Sequence, residues 1–297
     1  MKRSLLIYCF LLFATTLVAQ IQSKPPLKEK FQQSKAQWAK LQKQCKQTYA
    51  YTLLNSAHGR KVETRVVVQN GLVTAALATT TIPNRATQRT AFAPNASRRI
   101  LTLDEIYQDV EKRIWPAAGQ NLKITYNDKG ILQNAGYERV GCKGDCYEGY
   151  RIKNISLQLG IQEQIIVSMV KWEQQKAKWN NTYYFIAISG GKAQGFRSER
   201  TIYVRNGEII KVAEVRDDYK ANTSSRRLYT RAERRKTGTL DAFYTYALTK
   251  VASVSPDKKD LFFKTGESGF VSLVGTATKN CEGDCFTGYT IARIRTF

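Results

Sequence analysis

The sequence predicts an α+β protein made of two tandem repeats, in which helices cover one face of an antiparallel sheet in each copy. Three observations support this prediction. The chain repeats itself, each copy opens with an amphipathic helical pattern, and each copy continues with short strand patterns separated by turn signals. Elements with one apolar face must bury that face, which favours layered units. With 297 residues and a hydrophobic fraction of 42%, the chain can form two cores.

The repeat is clearest in two phrases near the ends of the copies, GCKGDCYEGY at 141–150 and NCEGDCFTGY at 280–289. Upstream residues match in the same order: Trp38 with Trp172, Asn70 with Asn206, and Asp104 with Asp241. The separation between matched residues grows only slightly along the chain, which indicates small loop insertions within one architecture. We therefore predict a first repeat domain at 26–159 and a second at 160–297.

Each copy opens with a predicted helix. Apolar residues recur there at heptad spacing, on one helical face: Phe31, Trp38 and Cys45 in the first copy, and Ile165, Trp172 and Trp179 in the second. A strand rich in aromatic residues follows, TYAYTLL or TYYFIAI. Two further strands meet at Asn-Gly, a strong hairpin signal because both central turn residues need positive φ.

A long polar connection leads to a second helix in each copy, which begins at Thr102 or Thr239. Thr102 and Glu105 have the spacing of a capping box, whereas the second copy has Ala242 where the acid would be. Three more strands close each copy. The predicted order is helix, three strands, helix, three strands.

The first 20 residues have the layout of a signal peptide. Lys2 and Arg3 precede a mostly apolar run at 5–19, and polar sequence follows. The run is shorter than the roughly 20 apolar residues of a spanning helix. We predict a signal peptide at 1–20, a secreted or periplasmic mature protein, and no membrane span after cleavage.

In each pair, three residues that include Gly and Asp separate the two cysteines, and these residues favour a tight turn. In an oxidising compartment the pattern predicts two local disulfides, Cys142 with Cys146 and Cys281 with Cys285. Zinc binding by the four thiolates and a redox-active pair are the alternatives, but the spacing fits neither well. We predict no metal and no cofactor. Cys45 is expected to be a buried free thiol, with His58 the only histidine that could activate it.

No nucleophile elbow, phosphate loop, dinucleotide fingerprint or paired-histidine motif occurs in the sequence. Three carboxylates recur in both copies, and each has a structural interpretation: Glu63 with Glu199, Asp104 with Asp241, and Asp145 with Asp284. The sequence therefore favours a non-catalytic protein and identifies no catalytic residue. A secreted hydrolase that uses carboxylates, or a thiol enzyme that uses Cys45, is the alternative.

The strongest functional signal is charge. The net charge is +23, and the connection before the second helix is basic in both copies. Arginine clusters suit planar anions, and tyrosine can stack on sugars or bases. The candidate anion-binding residues are Arg226, Arg227, Tyr229, Arg231, Arg234, Arg235 and Lys236 in the second copy, and Arg98 and Arg99 in the first.

The order of Trp, Tyr-x-Tyr, a strand ending in Asn-Gly, Leu-Thr-Leu-Asp and ITYNDKG resembles a family of secreted bacterial domains of unknown function, often found on lipoproteins. The chain departs from that family where a Cys-x-Cys pair is missing and where Gly-Tyr-Pro reads Gly130-Ile131-Leu132. The resemblance implies a fold and a compartment but no activity.

Together these features predict a non-catalytic binding module at the cell envelope, with an anionic glycan or a protein as its partner. Nucleic acid is the less favoured partner. A structural or assembly component of the envelope is a further alternative, and the sequence leaves the oligomeric state open.

Overall fold

The computed structural model describes residues 26–57, 60–92, 100–118, 121–141, 146–251, 254, 257, 259–280 and 285–297. These residues form two similar halves, each with a seven-stranded antiparallel sheet. No helix within these ranges is both long and apolar enough to cross a membrane. The predicted signal peptide at 1–20 lies outside the described residues.

The first half contains, in chain order, α1 (Leu27–Gln44), β1 (Tyr49–Ala57), β2 (Arg60–Gln69), β3 (Leu72–Thr81), β4 (Gln88–Phe92), α2 (Leu103–Asp109) with a π-helical turn (Val110–Ile114), α3 (Trp115–Ala118), β5 (Lys123–Tyr126), β6 (Leu132–Glu138) and β7 (Tyr147–Ser156). The first sheet has the order β4-β3-β2-β1-β7-β6-β5.

The second half contains α4 (Ile161–Lys178), β8 (Tyr183–Gly191), β9 (Phe196–Arg205), β10 (Glu208–Asp218), β11 (Thr223–Leu228), α5 (Arg231–Arg235), α6 (Leu240–Tyr246) with a π-helical turn (Ala247–Val251), β12 (Lys259–Thr265), β13 (Val271–Thr278) and β14 (Phe286–Arg295). The second sheet has the order β11-β10-β9-β8-β14-β13-β12. The identical strand order confirms that the two halves are similar.

The predicted α+β class is wrong, because the protein is mostly β. Each half has seven strands rather than six, and the additional strands β4 and β11 lie in the connections that were expected to be loops. All six residues of β11 are exposed, so this strand carries no apolar alternation. Its backbone pairs with β10 from Ala213 opposite Leu228 to Asp218 opposite Thr223. Backbone hydrogen bonding, and not burial of side chains, therefore forms this edge strand.

Each sheet has an inner face, which packs against the opening helix of its own half. In the first half Phe31 and Trp38 of α1 are buried with Tyr49 of β1 and Ile106 of α2. The rings of Trp38 and Tyr49 meet edge to face with centroids 4.8 Å apart. Burial of each such ring contributes about 2 to 3 kcal/mol. Of the apolar residues predicted for the opening helices, Phe31, Trp38, Ile165 and Trp172 are buried, whereas Cys45 and Trp179 lie at the helix C-caps and are only half-buried.

A buried hydroxyl pair joins the two main helices in each half. The Ser34 hydroxyl lies 2.7 Å from the Tyr107 hydroxyl, which also accepts a hydrogen bond from the Leu132 amide at 2.9 Å. The second half repeats this arrangement with Ser168, Tyr244 and the amide of Val271, at 2.8 and 3.1 Å. The pair links both helices to the start of a strand, so its role is structural.

The prediction that helices cover only one face of each sheet is also wrong for the first sheet. Its outer face, opposite the inner face, carries Val67, Ala75 and Leu77, which pack against Ile166 and Val170 of α4. Helix α4 thus belongs to both halves, because its other side packs into the second core. Strands buried on both faces have continuous apolar runs rather than alternation. The first sheet is therefore buried between its own helices and the opening helix of the next half.

A buried ion pair reinforces this contact between the halves. The Arg65 guanidinium of β2 donates to Glu163 of α4 from Nε at 2.8 Å and from a terminal nitrogen at 2.6 Å. The two side chains are only 13% and 6% exposed. Glu163 also accepts from the Gly160 amide at the start of α4. The pair consequently fixes α4 against the first sheet.

The predicted turns and caps are largely confirmed. Asn70 and Gly71 have φ of 52° and 77°, and Asn206 and Gly207 have φ of 51° and 83°. Both central residues therefore adopt the left-handed region that the Asn-Gly hairpin requires. Thr102 and Glu105 form the predicted capping box.

Candidate anion-binding site

The arginine-rich segment of the second half has a defined structure. A turn follows β10, where Asp218 Oδ1 accepts hydrogen bonds from the amides of Lys220 and Ala221, both at 3.0 Å. After β11, Thr230 and Glu233 form a capping box that starts the short helix α5. The backbone around the arginines is therefore ordered by strand pairing and capping.

Three of the predicted arginines line one open cleft. Arg231, Arg234 and Arg235 of α5 face the start of β10 across a space of about 570 Å³. Arg231 and Arg235 are exposed, and neither forms an ion pair with a residue that the structure describes. We call this space the arginine cleft. Its remaining lining residues are Glu208, Ile209, Ile210, Thr237 and Thr239.

Arg227 does not belong to the cleft, although the sequence grouped it there. It donates to Glu214 at 2.8 Å and to Glu233 at 2.8 Å, and its guanidinium lies over the Tyr229 ring. Burial raises the pKa of Glu214, but hydrogen bonds from Ser198 and Arg227 outweigh it and the pKa is lowered. Arg227 therefore neutralises a buried carboxylate and holds α5 beside β11.

The other predicted residues separate in space. Arg226 alternates with Arg227 along β11, so the two side chains point to opposite faces of the sheet. Tyr229 is half-buried and packs against the second core, which leaves it unsuited to stack on a ligand. Lys236 is exposed and caps the end of α5. Arg98 and Arg99 lie outside the described residues.

The sequence did not identify the other residues of the cleft. Glu208, Ile209 and Ile210 follow directly after the Asn206-Gly207 turn, and Thr237 and Thr239 precede α6. The antiparallel pairing of β10 with β11, which places Leu228 opposite Ala213, brings α5 to the start of β10, and no local pattern encodes this contact.

The two cysteine phrases lie, in the sequence, between the last two strands of each half. Strand β6 pairs with β7 up to Glu138 opposite Tyr147, and Arg139 donates to the Cys146 carbonyl at 3.2 Å. Cys142 and Cys281 lie outside the described residues, so the two disulfides stay predictions. Cys45 is a free cysteine, as predicted. It is half-buried rather than buried, and His58 lies outside the described residues.

The repeated carboxylates have local partners. Asp241 accepts from the Trp172 indole at 3.0 Å and from Lys176 at 2.7 Å. Asp104 accepts from Gln42, and burial raises the pKa of this carboxyl. The strand carboxylates form ion pairs, Glu63 with Lys153 at 2.7 Å and Glu199 with Arg197 at 3.0 Å. Asp145 and Asp284 lie outside the described residues. Each described carboxylate thus has a stabilising role.

Comparisons with protein-family models, with curated proteins and with solved structures gave no match. The resemblance to a family of secreted bacterial domains stays a prediction.

Proposed function

We propose that this protein is an exported, non-catalytic binding module and that its arginine cleft binds an acidic glycan. The observation that carries the proposal is the convergence of Arg231, Arg234 and Arg235 on one open cleft. Two of these arginines are exposed and have no ion-pair partner among the described residues. Their paired donors therefore remain able to bind carboxylate or sulfate oxygens.

The rest of the cleft supports a sugar ligand over a simple polyanion. Glu208 provides a carboxylate acceptor for hydroxyl donors, and Thr237 and Thr239 provide hydroxyl groups. Ile209 and Ile210 add apolar surface beside them. A ligand that carries both anionic groups and hydroxyl groups, such as a uronic-acid chain, satisfies all of these groups. A polyphosphate would instead place its negative charge beside the Glu208 carboxylate, which is unfavourable.

The overall charge supports the same class of ligand. A net charge of +23 attracts acidic polymers and raises their rate of encounter. At the cell envelope, acidic polysaccharides are available polyanions. Because the cleft is open to solvent, we expect salt to weaken binding as the Debye length falls to about 3 Å at 1 M.

The test is binding of a polygalacturonate oligosaccharide, measured by isothermal titration calorimetry. The variant carries Arg231→Gln, Arg234→Gln and Arg235→Gln, and we expect at least a tenfold weaker affinity, with each lost charge-assisted bond contributing roughly 1 kcal/mol or more. The control removes three exposed cations from the first half by Arg85→Gln, Arg89→Gln and Lys129→Gln.

Equal losses in the two variants would mean that only net charge matters, and the proposal would fail. Unchanged affinity in the cleft variant would also contradict it. Circular dichroism of both variants checks that the fold is retained.

A further inference from the structure

The outer faces of the two sheets are equivalent in position but differ in what covers them. On the first sheet, Ile166 and Val170 of α4 cover Val67, Ala75 and Leu77. Ala91 of the edge strand β4 packs into the same contact. The chain itself thus shows that the outer face of such a sheet can accommodate a helix.

Strand register identifies the corresponding residues of the second sheet. Leu77 lies opposite Ala91 across β3 and β4, and Ala213 lies opposite Leu228 across β10 and β11. Tyr203 precedes the Asn206-Gly207 turn by the same three residues as Val67 precedes Asn70. Leu228, the counterpart of the packed Ala91, is 66% exposed.

The outer face of the second sheet carries an apolar patch along β8, next to the ion pair of Arg197 and Glu199. Tyr184, Ile186 and Ile188 alternate along β8 with the core residues, so they point away from the core. The rings of Tyr184 and Tyr203 stack with centroids 5.6 Å apart. None of these side chains, nor Leu228, belongs to a packed cluster in the part of the chain that the structure describes.

Basic side chains lie within and beside this apolar patch. Lys211 lies opposite Tyr203, in the position that Ala75 has on the first sheet, and its ammonium is 5.5 Å from the Tyr203 ring. Arg226 lies opposite Val215 on the same face. Arg205 lies over the ring of Phe297. A partner with carboxylates along its edges would be complementary to these basic side chains.

We propose that the outer face of the second sheet binds an amphipathic helix of a partner protein, with apolar residues at i and i+4 and acidic residues along its flanks. The apolar spacing is that of Ile166 and Val170 in α4. The acidic flanks would complement the basic side chains of this face. This proposal does not depend on the glycan-binding function, because the arginine cleft uses different residues.

A second copy of this chain does not supply such a helix from its own opening segment. Counted from the matched residues Trp38 and Trp172, the counterparts of Ile166 and Val170 in α1 are Gln32 and Ala36. Gln32 is exposed and donates to Glu111 within its own half. The apolar pair that covers the first sheet is therefore absent from α1.

The test uses a fluorescein-labelled peptide with the sequence of 160–178 and the substitutions Lys171→Glu, Lys176→Glu and Lys178→Glu. We expect saturable binding to the full chain in fluorescence anisotropy, with a dissociation constant in the micromolar range. A second peptide with Ile166→Ser and Val170→Ser should bind at least tenfold more weakly, because it lacks the apolar pair.

Two protein variants locate the binding surface. Leu228→Asp and Lys211→Glu, both at exposed positions, should each weaken binding of the first peptide at least fivefold. The matched control Leu72→Asp changes another exposed leucine, 71% exposed in the first half, and should leave binding unchanged. Arg231→Gln with Arg235→Gln should also leave it unchanged, which separates this surface from the arginine cleft.

Failure of the first peptide to bind the wild-type chain would overturn the proposal, as would equal binding to the Leu228→Asp variant. Two other outcomes would assign the face to a different occupant and so refute the partner helix. One is a concentration-dependent dimer, seen by sedimentation velocity, that Leu228→Asp abolishes. The other is polygalacturonate binding that Leu228→Asp abolishes while the arginine-cleft variant retains it.

Discussion

Replacement of Arg65 by Met should destabilise the whole protein through the contact between its halves. The substitution keeps most of the aliphatic volume of the side chain but removes the guanidinium. Glu163 would then stay buried, with a side chain only 6% exposed, and would lose the two short hydrogen bonds from Arg65. The amide of Gly160 would still donate to Glu163 at 2.8 Å.

The size of the effect follows from the burial of the pair. Removal of one partner from a buried ion pair typically costs about 3 to 5 kcal/mol, because it leaves an uncompensated charge. At roughly 2 to 4 °C of melting temperature per kcal/mol for a chain of this size, we expect Tm to fall by about 10 °C. Replacement of both partners, Arg65→Met with Glu163→Gln, should recover part of this loss because no buried charge remains.

The free energy of unfolding can be measured by urea titration, with tryptophan fluorescence reporting on Trp38 and Trp172. Lys123→Met is the matched control, because its ion pair with Glu138 is 66% exposed on both sides. Exposed pairs contribute about 0 to 1 kcal/mol. A loss below about 1 kcal/mol for Arg65→Met, or a double variant less stable than the single one, would refute the reasoning.

Three further predictions concern single side chains. Tyr244→Phe should cost about 1 to 3 kcal/mol in urea unfolding, because it leaves the buried Val271 amide without its acceptor and removes the hydrogen bond to Ser168, whose hydroxyl keeps the Gly269 carbonyl as a partner; a change below a few tenths of a kcal/mol would contradict this. Because the pKa of Glu214 is lowered in the folded protein, its ionised carboxylate stabilises the fold above its ordinary pKa of 4.5, and this stabilisation is lost as the pH falls further. The difference in unfolding free energy between wild type and Glu214→Gln should therefore shrink from neutral pH to about pH 3. A difference that stays constant over this range would contradict the prediction. Alkylation of the denatured, unreduced mature chain should modify Cys45 alone in intact-mass measurement, whereas five modified thiols would show that the predicted disulfides do not form.

Local patterns predicted the elements whose signals lie within a few residues. The heptad spacing of Phe31 and Trp38 identified the buried face of α1, and Asn70-Gly71 identified a hairpin turn. These signals are local because one helical face or one turn determines them. The fourth strand of each sheet could not be found in this way. In β11 the residues TSSRRL are all exposed, so the strand depends on backbone pairing to β10.

The sequence contains a local signal for the burial of the first sheet on both faces. Val66, Val67 and Val68 form a continuous apolar run, and all three are fully buried. Such a run indicates a strand covered on both sides, not a helix layer on one side only. The sequence could not show that the second cover is α4, because that contact joins residues about 100 positions apart in the chain, as Arg65 and Glu163 do with a separation of 98.

The candidate site was only partly predictable. Clustering in the sequence grouped Arg231, Arg234 and Arg235, and the structure places them within one short helical segment. It also grouped Arg227 with them, but the structure pairs Arg227 with Glu214 of the neighbouring strand. Cross-strand pairing of this kind depends on register, which the sequence of the basic segment does not specify.

The position of α4 between the two sheets also determines the order in which the protein can complete its fold during synthesis. When β7 has been made, the first sheet has all of its strands, but the residues that α4 covers still face water. They become protected only when the next 20 or so residues have been added and have formed a helix, about a few seconds of elongation. During that interval the nascent chain exposes the apolar surface that α4 later covers.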